Sequence, residues 1–360
     1  MKLTIKFAVA ALAATAFLAP SSALAGGKAH HLGSYKVEKH IDLEGEEGEY
    51  TISCPGSDIA VDGMWRIDNV DQDNDYVYDA APTGFPRHDV LLSVEPVAAY
   101  PISQSTFRFQ FVPLAGGNVQ GKLFLTCLPD EVTKVSGHTH KWIVDGTGVT
   151  TNPHADAPTL YNPPVGPATY VNVQQTSTAC PAGSIAIAPG FKWELNMPGP
   201  PAIPEAWGKP WKRFPTSTHN TQGWTAWEWG FFSSTGGNLT LYYNCLERLT
   251  GFKIPGGGHR HKVAPVSKLT AVVGNNLKQN QVSEAQVECG EHYKAMLGAW
   301  HFGYNGYVWN GADYHHKLWY MGMDPRPKVR AFKVLNTALV DVFPIPSGMF
   351  AAYCWKTKTT

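Results

Sequence analysis

Charge is scarce in this 360-residue chain. Only 16% of residues are charged, and 29 acidic side chains balance 29 basic ones. With no basic excess, the chain has no electrostatic footprint for nucleic acid or for an anionic membrane. Long apolar runs are also scarce. The one at the start, Phe7 to Leu18, is too short to span a bilayer comfortably, and no later stretch reaches the roughly 18 residues required. No long segment keeps a helical period. The sequence has no G-x-S-x-G, no H-E-x-x-H and no P-loop, so the familiar signatures of serine hydrolases, zinc proteases and nucleotide hydrolases are missing. It has no C-x-x-C either, which argues against redox chemistry at its cysteines.

What is present begins with an export signal. Lys2 and Lys6 precede the apolar run, and Ala23-Leu24-Ala25 follows it as a small-x-small cleavage site, predicting a signal peptide over residues 1–25. Cleavage there removes two of the 29 basic residues, leaving 27 against 29 acids, a net charge of −2. The expectation is a secreted protein, extracellular or periplasmic, from a bacterium-like cell, with no transmembrane span and no nucleic-acid partner. Turn-formers and aromatics are abundant: 35 Gly, 27 Pro, 12 Trp, 15 Tyr and 16 Phe. That balance suits an all-β exported protein, and about 335 mature residues suit two or three domains.

Six cysteines stand at 54, 127, 180, 245, 289 and 354. An even count in an exported chain reads as disulfides, although six cysteines allow 15 pairings. A repeat narrows the choice. Cys54, Cys180 and Cys289 open "CPGSDIAVDGMW", "CPAGSIAIAPGFKW" and "CGEHYKAMLGAW", each running through an apolar segment to Gly and then Trp. Cys127, Cys245 and Cys354 close "GKLFLTC", "NLTLYYNC" and "GMFAAYC". The separations within pairs are 73, 65 and 65 residues, the mark of tandem duplication. The simplest pairing is Cys54–Cys127, Cys180–Cys245 and Cys289–Cys354, each bridge tying a unit's first strand to its last. A loop of that length contributes roughly 4 kcal/mol in the chain-entropy account.

Between the paired cysteines lie β-prone runs. "STFRFQF" alternates Phe107, Phe109 and Phe111 with polar residues, and "GWTAWEWGFF" puts Trp227 and Trp229 on one face. "VRAFKVLNTALVDVF" supplies two strands in the third unit, and "GSYKVEK", "ATYVNV" and "KLTAVV" offer a strand ahead of each first cysteine. The expected fold is all-β: three tandem antiparallel β-sandwich domains, each closed by one disulfide, over 30–145, 146–262 and 263–360. The Pro-rich "TNPHADAPTLYNPPVGPA" links the first two and should be extended and stiff.

The pattern C-P-x-G, a short apolar run, Gly, a late Trp strand and a final Y-x-x-C resembles a group of secreted bacterial repeats that recur in tandem in extracellular proteins. The second unit fits best, through Cys180, Pro181, Gly183, Gly190, Trp224, Tyr242 and Cys245. The group usually carries Gly-Gly where this chain has Asp62-Gly63, Pro189-Gly190 and Leu297-Gly298, and the third unit also lacks the Pro. The resemblance covers most of the mature chain. It implies a small disulfide-closed β domain and no particular activity.

Several residues invite a ligand. "SGHTHK" holds His138 and His140, "GGHRHK" holds His259 and His261, and "GGKAHH" holds His30 and His31, so a Gly-and-His segment precedes each unit. In an extended strand, residues i and i+2 face the same way, so an H-x-H pair presents two imidazoles to a zinc or copper ion. Further ligands would have to come from elsewhere, such as His154 or His315-His316. The competing reading is a duplicated, solvated linker. Asp71, Asp73 and Asp75 alternate as at the start of a calcium loop, but Tyr76 stands at the sixth position and Pro82 at the twelfth, so a solvated acidic turn competes. Tyr304, Tyr307 and Trp309 in "GYNGYVWNGADYHH" form an aromatic loop suited to stacking on a sugar. Glu194, Glu205 and Glu228 offer carboxylates without any spacing that defines a glycosidase pair. No cofactor is specified, and zinc, copper or calcium are the candidate ions. The sequence leans away from an enzyme. It favours an exported structural, adhesive or surface-assembly protein that associates with itself or with cell-surface components. The alternative is a metal or carbohydrate binder.

Overall fold

The computed structural model describes residues 34–44, 48–69, 79–80, 86–87, 94–113, 118–133, 139–154, 171–195, 209–216, 224–233, 237–249, 251–252, 261–273, 282–288, 294–302, 318–326, 331–338 and 348–359. The predicted signal peptide lies outside them. All the described elements are strands. The first repeat supplies β1 (Tyr35–Glu44), β2 (Gly48–Ser53), β3 (Ile59–Asn69), β4 (Asp79–Ala80), β5 (Pro86–Arg87), β6 (Val94–Pro101), β7 (Thr106–Pro113), β8 (Asn118–Leu128), β9 (Glu131–Thr133) and β10 (Thr139–Lys141). The second supplies β11 (Val144–His154), β12 (Val171–Thr176), β13 (Ser184–Leu195), β14 (Lys209–Thr216), β15 (Ala226–Ser233), β16 (Gly237–Glu247) and β17 (Gly251–Phe252). The third supplies β18 (His261–Val273), β19 (Val282–Glu288), β20 (Lys294–Phe302), β21 (Leu318–Arg326), β22 (Ala331–Ala338) and β23 (Gly348–Thr359).

A C-P turn, C-P-G-S in the first repeat and C-P-A-G in the second, follows each opening cysteine for a local reason. The carbonyl of Pro55 accepts from the Asp58 N–H at 3.1 Å, and that of Pro181 accepts from the Ser184 N–H at 3.1 Å. Both tight turns need a left-handed residue, supplied by Gly56 (φ 58°) and Gly183 (φ 95°). The same backbone bonds recur beside each turn. The Cys54 and Ala60 N–H groups donate to Ser105 and Gln104, each at 2.8 Å, and the Cys180 and Ala186 N–H groups donate to Thr225 and Trp224 at 2.8 and 3.0 Å. The flanking bonds are thus shared, while the left-handed Gly stands second in the first turn and third in the second.

In each repeat the strand after the first cysteine pairs antiparallel with the strand that carries the second. The cysteines are thereby brought together, with Cα–Cα distances of 5.8 Å for Cys54–Cys127 and 5.6 Å for Cys180–Cys245. Cys354 is disulfide-bonded as well, and its expected partner Cys289 lies outside the described residues.

The fold is antiparallel and all-β, as the repeats lead one to expect, with three six-stranded sheets. Their strand orders are β1-β8-β3-β21-β22-β19, β11-β16-β13-β6-β7-β2 and β12-β15-β14-β20-β23-β18. Each of these three sheets therefore joins three strands of one repeat to three strands of another. Repeat one shares a sheet with repeat two, repeat two with repeat three, and repeat three with repeat one. The joints fall at equivalent places. Phe191 and Lys192 of β13 oppose Ala99 and Ala98 of β6, Trp300 and His301 of β20 oppose Arg213 and Lys212 of β14, and Arg66 of β3 opposes Gly322 of β21. Residues Leu32–Thr360 form one compact unit.

A single apolar cluster draws on all three sheets. Trp65, Phe191 and Trp300 occupy equivalent positions, each opposite the residue four places before the closing cysteine. Trp65 meets Phe191 edge-on at 6.2 Å, Trp300 at 6.0 Å and Phe109 at 6.4 Å, while Trp229 meets Phe191 at 4.9 Å and Trp300 at 5.8 Å. A ring of this size removes roughly 200 Å² from water, on the order of 5 kcal/mol before ordering costs. Here the benefit is realised only when the repeats are together.

Candidate functional site

The most unusual chemistry among the described residues lies in that core. Asp62 and Arg213 are both fully buried and form an ion pair across 151 positions of sequence. A register shift between Ala60 and Asp62 in β3 brings Asp62 opposite Thr126. A bulge of this kind re-aims the side chains beyond it. Arg213 comes from β14 of the second repeat, beside Trp300 of the third. Its Nη2 donates to Asp62 Oδ1, and its Nη1 donates to the Gly63 carbonyl at 3.3 Å. The other carboxylate oxygen, Asp62 Oδ2, accepts from the Gly298 N–H at 2.8 Å. Three repeats therefore meet on one carboxylate.

Aromatic faces complete the surroundings. The guanidinium carbon lies 5.3, 5.8 and 5.1 Å from the ring centroids of Trp227, Trp229 and Trp300. A weakly hydrated, planar guanidinium suits such a cage better than an ammonium would. Burial pushes the Asp62 carboxyl up to about 6, against the opposing pull of Arg213 and of the Gly298 and Gly63 N–H groups. With both partners at zero exposure, this pair is not open to a ligand. Its chemistry is cohesion between repeats.

The residues singled out by sequence are distributed elsewhere. His140 is fully buried on β10, opposite Val132 of β9 and Phe252 of β17 in a small three-stranded sheet. His261 opens β18 opposite Thr359. Their H-x-H companions His138 and His259 lie outside the described residues, as do Asp71, Asp73, Asp75, Tyr304, Tyr307, Trp309 and the pair His315-His316. His154 is occupied: its ring stacks on Trp193 at 5.7 Å and its Nε2 hydrogen-bonds Gln175 Oε1 at 3.2 Å. Gln175 in turn donates from Nε2 to the Thr150 and Leu239 carbonyls at 3.1 and 3.4 Å, fastening β12 to the edge of the neighbouring sheet. Among the described residues no three His, Cys, Asp or Glu side chains gather as a metal site.

On the outward side of the joint between repeats one and two, Tyr100 and Tyr242 stack at 4.5 Å with their rings 24° apart. Gly190 lies between them in the strand order, and a Cβ there would come within 2.5 Å of the Tyr100 Cα. The Lys192–Glu194 ion pair flanks them, and Val149, opposite Tyr242, is 53% exposed. Both tyrosines are half-buried. In the first repeat the residues in register with Tyr242 and Gly190, Phe124 and Met64, are fully buried.

Sequence reasoning passed over Asp62, Arg213 and Tyr100. One signal was available. Asp62 lies opposite the residue just before the closing cysteine, where the other repeats place Ile187 and Leu297. The chain matches no protein-family model and no curated protein.

Proposed function

We propose that this chain is an exported, non-catalytic tandem-repeat protein with a structural, adhesive or surface-assembly role. The observation that carries the reading is the sharing of sheets: no repeat completes a six-stranded sheet by itself, and disulfides fix the strand pairs that face the shared core. Such a construction spends its buried charge on holding repeats together, and suits a protein that must keep its shape outside the cell. The test is to purify the full-length mature chain and measure its self-association and its retention on cells and insoluble polysaccharide. Concentration-dependent assembly or retention is expected. A monodisperse monomer with no affinity for either surface would overturn the reading.

A second reading, a carbohydrate binder, draws support from the Tyr100–Tyr242 stack. Its neighbours Lys192 and Glu194 neutralise one another, leaving aromatic surface and hydroxyls suited to an uncharged polyol. Glycan-array binding that falls with Tyr242→Ala is expected on this reading, and silence across the array removes it.

A further inference from the structure

The sheet β1-β8-β3-β21-β22-β19 closes a circle of repeats that the other two six-stranded sheets leave open. The joints β13–β6 and β14–β20 connect repeats that are consecutive in the chain. The joint β3–β21 connects the first repeat to the third, so no chain connection runs directly across it. It is also the thinnest in backbone register, with Gly322 opposite Arg66 as its single pair, against two pairs at each of the others. At each joint two different edges meet, so the contact is head-to-tail. A head-to-tail contact forms a closed ring when it returns within one molecule, and an open series when it continues into the next.

We propose that the β3–β21 joint is the surface through which copies of this chain assemble, each copy exchanging its third repeat onto the first repeat of a neighbour. The partner is a second copy, because the exchanged joint recreates the same contacts. The unpaired strand edge of β3 again finds β21, Trp65 again meets Trp300, and Asp62 again accepts from the Gly298 N–H. Opening exposes those groups transiently, and exchange of the whole third repeat, its β20–β14 joint included, returns them to the same partners in a neighbouring copy. This inference rests on the surface-assembly reading above and names the surface involved.

The test uses the full mature chain with a disulfide placed across the joint. Arg66 and Gly322 are directly opposed in an antiparallel pair, and that spacing falls within the Cα range of a disulfide. Light scattering after size-exclusion chromatography, over a concentration series and after brief warming, should show a ladder of oligomers for the natural chain. The oxidised Arg66→Cys/Gly322→Cys variant should lose at least tenfold of that oligomer fraction. In case the double variant folds poorly, chains carrying only Arg66→Cys can be mixed with chains carrying only Gly322→Cys and oxidised. Exchange predicts an intermolecular bridge between positions 66 and 322, and its absence overturns the proposal. Equal oligomerisation of the locked variant also overturns it, while leaving the surface-assembly reading standing. A natural chain that stays monomeric but is retained on cells overturns the exchange and leaves an adhesive role. A monomer with no retention overturns both.

Discussion

The bulge in β3 and the bulge in β13 are the same device with different contents. Both follow a C-P turn, and both shift register against the strand that carries the closing cysteine. In β13 the irregular stretch is Ala188-Pro189 followed by Gly190, with Ala188 in the left-handed region (φ 53°) and Ile187 fully buried opposite Asn244. In β3 the position equivalent to Ile187 is Asp62. An apolar side chain packs against any neighbour of the right shape, whereas a buried carboxylate accepts very few. It requires a cation and oriented N–H groups, and here it obtains Arg213 from the second repeat and Gly298 from the third. The comparison suggests that near-equivalent repeats are kept in a fixed cyclic order by breaking their equivalence at one buried point.

Removing that point should have the largest effect. Asp62→Ala leaves Arg213 charged and unpaired in the core, and we expect unfolding free energy to fall by about 3–5 kcal/mol. Ile187→Ala, at the apolar counterpart, should cost about 2–4 kcal/mol through its cavity alone. The difference in kind appears in the rescue. Asp62→Leu combined with Arg213→Met should recover most of the loss, because both desolvation penalties disappear together. Urea unfolding followed by Trp fluorescence measures all of these, and an Asp62→Ala cost below 1 kcal/mol would make the pair irrelevant to stability.

The pair also separates the two bulges by pH. Burial raises the folded-state affinity of Asp62 for its proton, to a pKa of about 6 against an ordinary 3.8. A carboxyl with a raised folded pKa contributes its stability in full below the unfolded value. That contribution is lost as pH rises through about 4 to about 6, where the charged form must be kept buried. The natural chain should therefore lose stability from this group between those values, and Asp62→Asn should flatten that segment of the curve. Ile187 variants should keep the slope. Denaturant midpoints at pH 4, 5, 6 and 7 give the comparison, and an Asp62→Asn curve parallel to the natural one would contradict the assignment.

Much of the local structure was legible because it is local. The C-P turns, the alternating Phe107, Phe109 and Phe111, and the pairing of Cys54 with Cys127 and Cys180 with Cys245 all follow from residues near in sequence or from the repeat itself. What was hidden is which strand each inner edge takes as its neighbour. Alternation shows that β6 has a buried face, but not that its second partner is β13 of another repeat. The Asp62–Arg213 pair was hidden for the same reason, since a charge inside a strand reads as a solvated face until its partner is known. The strands expected ahead of the first cysteines also occupy different places. Those in β1 and β18 pair with the closing strands β8 and β23, while that in β12 pairs with β15.

Gly190 tests the joint itself. A Cβ at Gly190 would lie 2.5 Å from the Tyr100 Cα and 2.6 Å from the Ala99 carbonyl oxygen, so it would press on the backbone of the adjoining strand. At Gly63 the obstacle is the Phe107 ring, at 2.3 Å. Gly190→Ala should cost about 1–3 kcal/mol by overpacking and should specifically raise hydrogen exchange at the β13–β6 pairing. Gly63→Ala should cost a similar amount through displaced Phe107, without that local exchange signature.

The smallest effect belongs to the other ion pair in this comparison, Lys192–Glu194 on the outward side of β13. Its side chains are 32% and 53% exposed, so water screens both charges. The Lys192 ammonium is held above its ordinary pKa mainly by its hydrogen bond to Glu194, yet holding two long side chains in one geometry offsets much of that gain. Lys192→Ala should change stability by no more than a few tenths of a kcal/mol, and less still in 0.5 M salt. The fully buried pair between β3 and β14 and this exposed pair within β13 each join a carboxylate to a cation, so the contrast between the two losses reports chiefly on burial. A Lys192→Ala cost approaching that of Asp62→Ala would mean that the protein's charges act through a general field, and the case for a single buried lock between repeats would fail.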